Sequence, residues 1–207
     1  LLFKEGYGLT EAGPNNFYID PMEAMKKYGA VGKNMQFNQI RIVKEDGSLC
    51  TMHEVGELQL KGKHLFKEYW KNECETKSAF SEEWFKTGDL AKMDDQYDVY
   101  IVGRKKEMII SGGENIYPQE IEQCIIKHPN VKEVAVIGLE DSYWGEVVTA
   151  FIVCHEEIHG FKEEIRAYCV QQLTKYKIPK KIFILNELPK TTVGKIDKKK
   201  LKQHVSS

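Results

Sequence analysis

The chain has 207 residues, a net charge of −1, 42% hydrophobic and 29% charged residues, a balance ordinary for a globular protein that buries one large or two small cores. No apolar run approaches the ~18 residues of a membrane helix, and no basic-then-apolar leader follows Leu1, so the expectation is a cytoplasmic protein with neither secretory signal nor transmembrane segment. Leu rather than Met at position 1 suggests a piece of something longer. Five scattered cysteines (Cys50, Cys74, Cys124, Cys154, Cys169) contain no Cys-x-x-Cys pair, which fits reduced thiols better than a disulfide framework or a zinc site.

The first hundred residues read as short strands and turns. Asn38 to Val43 and Glu57 to Lys61 alternate polar and apolar, and Asp98 to Val102 forms a further strand before Gly103. Pro21 to Tyr28 and Asn72 to Phe80 read as helices. The expectation for 1–103 is a small distorted β-barrel or sheet. After Gly103 the elements lengthen. Glu107 to Ile110 is a short strand, and Pro118 to His128 a helix with Ile121, Cys124, Ile125 and His128 on one stripe behind a first-turn proline. Val131 to Leu139 and Glu146 to Cys154 are β-branched strands. Phe161 to Leu173 is a second amphipathic helix, Lys181 to Leu185 a strand, and Asp197 to His204 a Lys-rich helix. Residues 104–207 therefore predict a compact mixed α+β domain, joined to the first by the Gly103 to Lys106 elbow. The fold class is α+β throughout.

Four motifs carry chemistry, each with a structural alternative. In Gly6-Tyr7-Gly8-Leu9-Thr10-Glu11 the glycines free the backbone to approach a ligand, Tyr7 offers a stacking face, Thr10 a hydroxyl and Glu11 a carboxylate suited to magnesium. The alternative is a tight turn whose tyrosine plugs the core. In Thr87-Gly88-Asp89 a carboxylate beside glycine can accept from both hydroxyls of a ribose, or Asp89 can close a turn on its own backbone. Gly112 and Gly113, between Ser111 and Glu114, either let backbone line a substrate channel or make a turn between strand and helix. Gly194-Lys195 places an ammonium on a flexible segment, able to neutralise charge at a phosphate, or is one more surface lysine.

Two further features point elsewhere. Lys175 to Ser207 holds ten lysines against Glu187 and Asp197, a local +8 that leaves −9 for the rest. Such a tail attracts polyphosphate or is a solvated helix face, and without interleaved aromatics it does not suggest nucleic acid. His155-Glu156-Glu157-Ile158-His159 matches the zinc-protease spacing. A β-branched strand runs into His155 and Gly160 follows His159, so the segment reads as a loop rather than the helix that chemistry needs.

The motifs, in this order and extended by Pro118-Gln119-Glu120-Ile121-Glu122 and by Pro189-Lys190-Thr191-Thr192-Val193-Gly194-Lys195-Ile196-Asp197, resemble the adenylate-forming superfamily over nearly the whole chain, and most of all its fatty-acid and aryl-acid CoA ligases. The resemblance implies a carboxylic acid, with a fatty acid expected, that attacks magnesium ATP to give acyl-AMP and then passes to coenzyme A. It implies that Tyr7 and Gly8 lie at adenine, Thr10 at phosphate, Glu11 on magnesium, and Asp89 with Arg104 on ribose. Lys106 is then the hinge, Gly112 and Gly113 line the pantetheine tunnel, and Lys195 supports the first step. The family's phosphate-cradling loop and most of its acyl pocket precede the first motif, so an upstream part of the same enzyme is implied and 207 residues alone are expected to be inactive. Alternatives are a module that loads a carrier protein and a non-catalytic nucleotide-binding module.

Overall fold

The computed structural model describes residues 6–156 and 159–205. Its contacts separate two compact units, Leu1–Lys106 and Glu107–Ser207.

The first unit contains β1 (Phe17–Tyr18), α1 (Pro21–Lys26), β2 (Ala30–Asn34), β3 (Gln39–Val43), β4 (Gly56–Lys61), α2 (Glu73–Ala79), β5 (Phe80–Ser81), β6 (Trp84–Met93) and β7 (Val99–Arg104). The strands form one antiparallel sheet in the order β1-β2-β7-β6-β4-β3, with β5 beside β6. Among the described residues its path ends at β1 and β3, so it is an open sheet. Phe17, Val31, Ile42, Leu58, Leu60, Ala91 and Val99 fill its core. The helices are short and locally encoded. Asp20 Oδ1 accepts from the Met22 amide at 2.8 Å ahead of Pro21, and Asn72 Oδ1 accepts from the Glu75 amide at 3.1 Å, each satisfying an otherwise orphaned N-terminal donor.

Four strands here, β1, β2, β5 and β6, lie outside the sequence expectation, and two of them show the physical reason. In β2, Gly32 has φ +89° and its Cα packs so close to the Tyr18 carbonyl that a Cβ would overlap it. In β6, the expected Thr87-Gly88-Asp89 turn is a bulge inside a ten-residue strand. Lys86 pairs with Gln59 and Leu90 with Glu57, so Thr87 to Asp89 face Leu58 alone. A bulge breaks the two-residue period that announces a strand.

The second unit contains β8 (Ile109–Ser111), β9 (Glu114–Ile116), α3 (Pro118–Ile125), β10 (Val131–Asp141), β11 (Gly145–Cys154), α4 (Phe161–Gln172), β12 (Lys181–Ile184) and α5 (Lys198–Val205). Its sheet runs β10-β11-β8-β9, with β12 parallel to β11 from Thr149↔Lys181 to Ile152↔Ile184. Helix α4 supplies the crossover that a parallel pair requires. Alternate residues of β10 and β11 go to opposite faces. Val134, Val136, Val148, Ala150 and Ile152 meet Ile121 and Ile125 of α3 and Phe161, Ile165 and Cys169 of α4. Ala135, Ile137, Phe151 and Val153 meet Leu201 of α5 and Leu188 of the segment between β12 and α5. Burial on both faces explains why these strands read as continuous apolar runs.

Candidate functional site: a carboxylate on a strand bulge and a lysine hairpin

The β6 bulge is a constructed feature. With Leu58 left facing three residues, its carbonyl accepts from Thr87 Oγ1 at 2.7 Å, and Thr87 Oγ1 in turn accepts from the Asp89 amide at 3.1 Å. Gly88 sits at φ +70° between them, a conformation glycine enters without the Cβ penalty. The carboxylate of Asp89 is thereby held nearly buried, at 5% exposure. Its Oδ1 lies 2.8 Å from Arg104 Nε, on the paired position of β7. Its Oδ2 accepts from the Tyr7 hydroxyl at 2.5 Å. Arg104 also donates through Nη1 to the Thr87 carbonyl at 3.2 Å. A planar guanidinium forked between a carboxylate and a carbonyl is fixed in orientation.

Tyr7 is half-buried, with Phe17 edge-on at 5.5 Å. Burial first, then the charge and hydrogen bond of Asp89, push its hydroxyl well above the usual phenol value, so it remains a donor at neutral pH. The two sequence readings of Tyr7 therefore coexist, since one edge of the ring packs in the core while the hydroxyl orders Asp89. Gly8 is fixed by the chain itself. A Cβ there would lie 2.6 Å from the Gly13 carbonyl oxygen and 2.8 Å from Pro14 Cα, so the Leu9–Gly13 bridge closes only over glycine.

Thr10 is exposed on that turn and Glu11 half-exposed. Glu11 Oε1 accepts from the Tyr69 hydroxyl at 2.8 Å, and the Glu11 carbonyl accepts from the Phe66 amide at 2.8 Å. Burial, followed by the Glu11 bond, pushes Tyr69 up to about 12. A groove of about 600 Å³ runs past Glu11, Tyr69, Thr87, Arg104, Lys105 and Lys106. Its wall mixes carboxylates with fixed cations, a donor set that suits a phosphorylated ligand with a divalent cation. Asp89 lies behind Arg104, and Lys106 is exposed.

In the second unit the glycine pair has a different setting from the strand-to-helix turn set out as its structural alternative. Gly112 and Gly113, at φ +61° and +87°, are the two-residue connection of the β8–β9 hairpin, with Ser111 facing Glu114. Positive φ at both central residues is what the twist of a tight hairpin demands. The Gly112 amide donates to the Trp144 carbonyl at 2.9 Å, and a Cβ on Gly112 would meet the Trp144 ring at 2.9 Å. Trp144 in turn carries the Lys180 ammonium 3.3 Å over its ring centroid. Lys195 is exposed on a closed hairpin rather than a loose tail. Lys190 bridges Ile196, the Thr191 amide donates to the Lys195 carbonyl at 2.7 Å, and Gly194 takes φ +80°. Asp197 Oδ1 then accepts from the Lys200 amide at 3.2 Å to start α5.

Sequence reasoning missed Tyr69 and Trp144. Nothing local marks either one, since Glu11 and Tyr69 are 58 residues apart. Of the His155 to His159 segment, Glu157 and Ile158 lie outside the described residues, and His155 follows directly on β11. No group of three or more His, Cys, Asp or Glu among the described residues is arranged to hold a metal.

Comparison with known proteins gives this geometry a family. The AMP-binding enzyme model matches residues 2–70, and the AMP-binding enzyme C-terminal domain matches residues 120–195. The chain belongs to the AMP-binding enzyme family. A long-chain-fatty-acid–CoA ligase, FadD13, of Mycobacterium tuberculosis is 40% identical over 98% of this chain and 40% of its own length. The o-succinylbenzoate CoA synthetase of Bacillus subtilis, solved with its acyl-adenylate intermediate, is 38% identical with a TM-score of 0.89 over 95% of this chain and 40% of that one. The same enzyme with ATP and magnesium superimposes at a TM-score of 0.87 and 36% identity, over 98% of this chain and 41% of that one. The chain thus spans about 40% of the length of the curated relatives it matches. No helix among the described residues is long and apolar enough to cross a membrane.

Proposed function

We propose that the chain is the C-terminal portion of an ATP-dependent acid–CoA ligase that activates a carboxylic acid, fatty or aryl, as acyl-AMP and transfers it to coenzyme A. The observation that carries this reading is the Tyr7–Asp89–Arg104 network on the β6 bulge, beside a groove edged by Glu11. A carboxylate fixed by a guanidinium and a phenol keeps further lone pairs for a ribose diol without needing to reorganise. Tyr7 and Gly8 border adenine, Thr10 offers its hydroxyl to phosphate, and Glu11 fits a magnesium ion because a carboxylate oxygen beside the groove is the donor that ion takes. Magnesium supplies neutralisation of phosphate charge when bound. In the first step an oxygen of the acid attacks the α-phosphorus and the bond to pyrophosphate breaks. Lys195 places its ammonium against the charge that develops there. In the second step the coenzyme A thiol, losing its proton, attacks the acyl carbon, and AMP leaves with the electron pair of the cleaved acyl–phosphate bond. Gly112 and Gly113 border the pantetheine arm in that step, and the second unit rotates about Lys106 between the two.

Acid-dependent ATP–pyrophosphate exchange and coenzyme A-dependent AMP release test the proposal on a longer chain containing these residues and on the 207-residue chain. The longer chain is expected to show both activities and the 207-residue chain neither. Robust exchange by the shorter chain would refute its dependence on an upstream part. Acylation of a carrier-protein thiol in place of coenzyme A would overturn the ligase assignment.

A further inference from the structure

The junction between the units falls at Lys106 and Glu107, inside a single 3-10 turn formed by Lys105–Glu107. Each residue flanking Lys106 is gripped by its own unit. Before it, Lys105 Nζ lies 3.0 Å from Glu57 Oε2, a β4 carboxylate whose side chain is only 13% exposed. After it, Glu107 Oε2 receives Lys198 Nζ of α5 at 2.8 Å, and the same ammonium lies 2.9 Å from Glu122 Oε1 of α3. Glu122 is itself fastened, accepting from the Val136 amide of β10 at 2.8 Å. Burial works against the Lys198 charge, but Glu122 and Glu107 outweigh it and raise its pKa, so this ammonium is charged at any neutral pH. Lys106 is exposed and, among the described residues, makes no ion pair or side-chain hydrogen bond.

We propose that these two ion-pair clamps, Lys105–Glu57 on one side and Glu107–Lys198–Glu122 on the other, confine the bending of the chain to the backbone of Lys106. The inference rests on the reading that the second unit rotates between half-reactions. It adds that Glu57, Lys105, Glu107, Glu122 and Lys198 are positioning residues for that rotation. The physical reason is the number of soft dihedrals available. A linker held up to the residue on each side has one φ/ψ pair to change, and such a hinge yields discrete orientations. A linker frayed over several residues yields a continuum in which any competent orientation is less populated, and apparent rates fall by that fraction. Lys198 does a second task, because it stands three residues beyond Lys195 at the start of α5. Its clamp therefore ties the base of the lysine hairpin to the linker end at Glu107.

Hydrogen exchange at the amides of residues 104–108 of the 207-residue chain reads the clamps directly, with no catalysis required. Lys105→Gln removes a half-exposed pair and is expected to speed that exchange about two- to fivefold. Glu107→Gln leaves the more buried Lys198 short of a partner and is expected to speed it about tenfold. Lys105→Arg, which keeps the cation, is expected to leave it unchanged. In the longer chain, Glu107→Gln, which lies outside the groove lining, is expected to lower kcat for coenzyme A-dependent AMP release more than acid-dependent pyrophosphate exchange, at unchanged KM for ATP. Unaltered exchange at 104–108 in both Gln variants, or equal loss in Lys105→Arg, overturns the clamps. Should Glu107→Gln fail to fold, Lys105→Gln alone decides. Faster linker exchange in a chain that forms no thioester supports the clamps and defeats the ligase reading, whereas a working ligase with unaltered exchange defeats the clamps alone.

Discussion

The two units present their key charges in opposite ways. Asp89 is 5% exposed and locked by two side chains from other elements, whereas Lys195 is exposed on a seven-residue hairpin closed by its own backbone. A group held in a network is ready before any ligand arrives, and its removal disturbs the fold. A group on an exposed loop contributes little to stability, so its effect is confined to the chemistry it performs. The molecule thus separates a charge fixed by its neighbours from an exposed one, and the same substitution strategy should have different consequences on each side.

The largest effect expected is that of Asp89→Asn. It removes the charge between Arg104 and Tyr7, so both stability and adenylate formation fall. Because Arg104 is half-exposed and remains solvated, the stability cost is about 1–3 kcal/mol rather than the full penalty of a buried unpaired charge. On the proposed contact of Asp89 with a ribose diol, weakening of its two charge-assisted bonds is expected to lower adenylation about 100-fold in the longer chain. Urea denaturation and pyrophosphate exchange measure the two, and an unchanged denaturation midpoint would erase the contrast between Asp89 and Lys195. Lys195→Ala is next, with adenylation down about 100-fold while the denaturation midpoint stays within experimental scatter. A Lys195 variant that unfolds early would show that the hairpin is structural after all.

The glycine hairpin sharpens the comparison within the second unit. Gly112→Ala places a methyl at φ +61° against the Trp144 ring, while Gly113→Ala meets nothing within 4 Å and carries only the backbone cost at φ +87°. Both are expected to lower stability by about 1–2 kcal/mol from the left-handed backbone, with Gly112→Ala the worse of the two. Thermal unfolding separates them, and equal costs would mean that Trp144 simply moves aside.

The smallest effect is electrostatic and lies far from the site. Lys44 and the Thr51 amide bond the Glu54 carboxylate and hold it down to about 2 from 4.5. A carboxylate depressed in the folded state stabilises above the unfolded value and loses that contribution as pH falls from about 4.5 through about 2. Glu54→Gln is therefore expected to unfold slightly earlier at pH 7 and to merge with the parent chain near pH 2. Curves that stay parallel across that range would show that the pair is fully screened by solvent.

Much of the second unit was legible because its elements are long and regularly patterned. The stripe Ile121, Cys124, Ile125, His128 is buried throughout, although the helix stops at Ile125 and turns carry the last contact. The first unit was less legible. The bulge at Thr87 to Asp89 removed the alternation from β6, and the glycine in β2 answers to a carbonyl fourteen residues earlier in the chain rather than to its neighbours. The candidate site divides along the same line. Asp89, Arg104, Glu11 and Lys195 were marked by their motifs, but the bond from Tyr7 to Asp89 and that from Tyr69 to Glu11 span 82 and 58 residues, and no local pattern encodes such a distance.

The sequence by itself determined the mixed α+β character, the order of the motifs and the family they belong to, because side-chain period, turn residues and short motifs are local properties of a chain. Only the tertiary structure decided that a glycine-flanked aspartate would be a strand bulge instead of a turn, and that the linker would be gripped on both sides of a single lysine. Those outcomes depend on which carbonyl, guanidinium or ammonium the folded chain brings opposite each group, a property of strand register and helix docking.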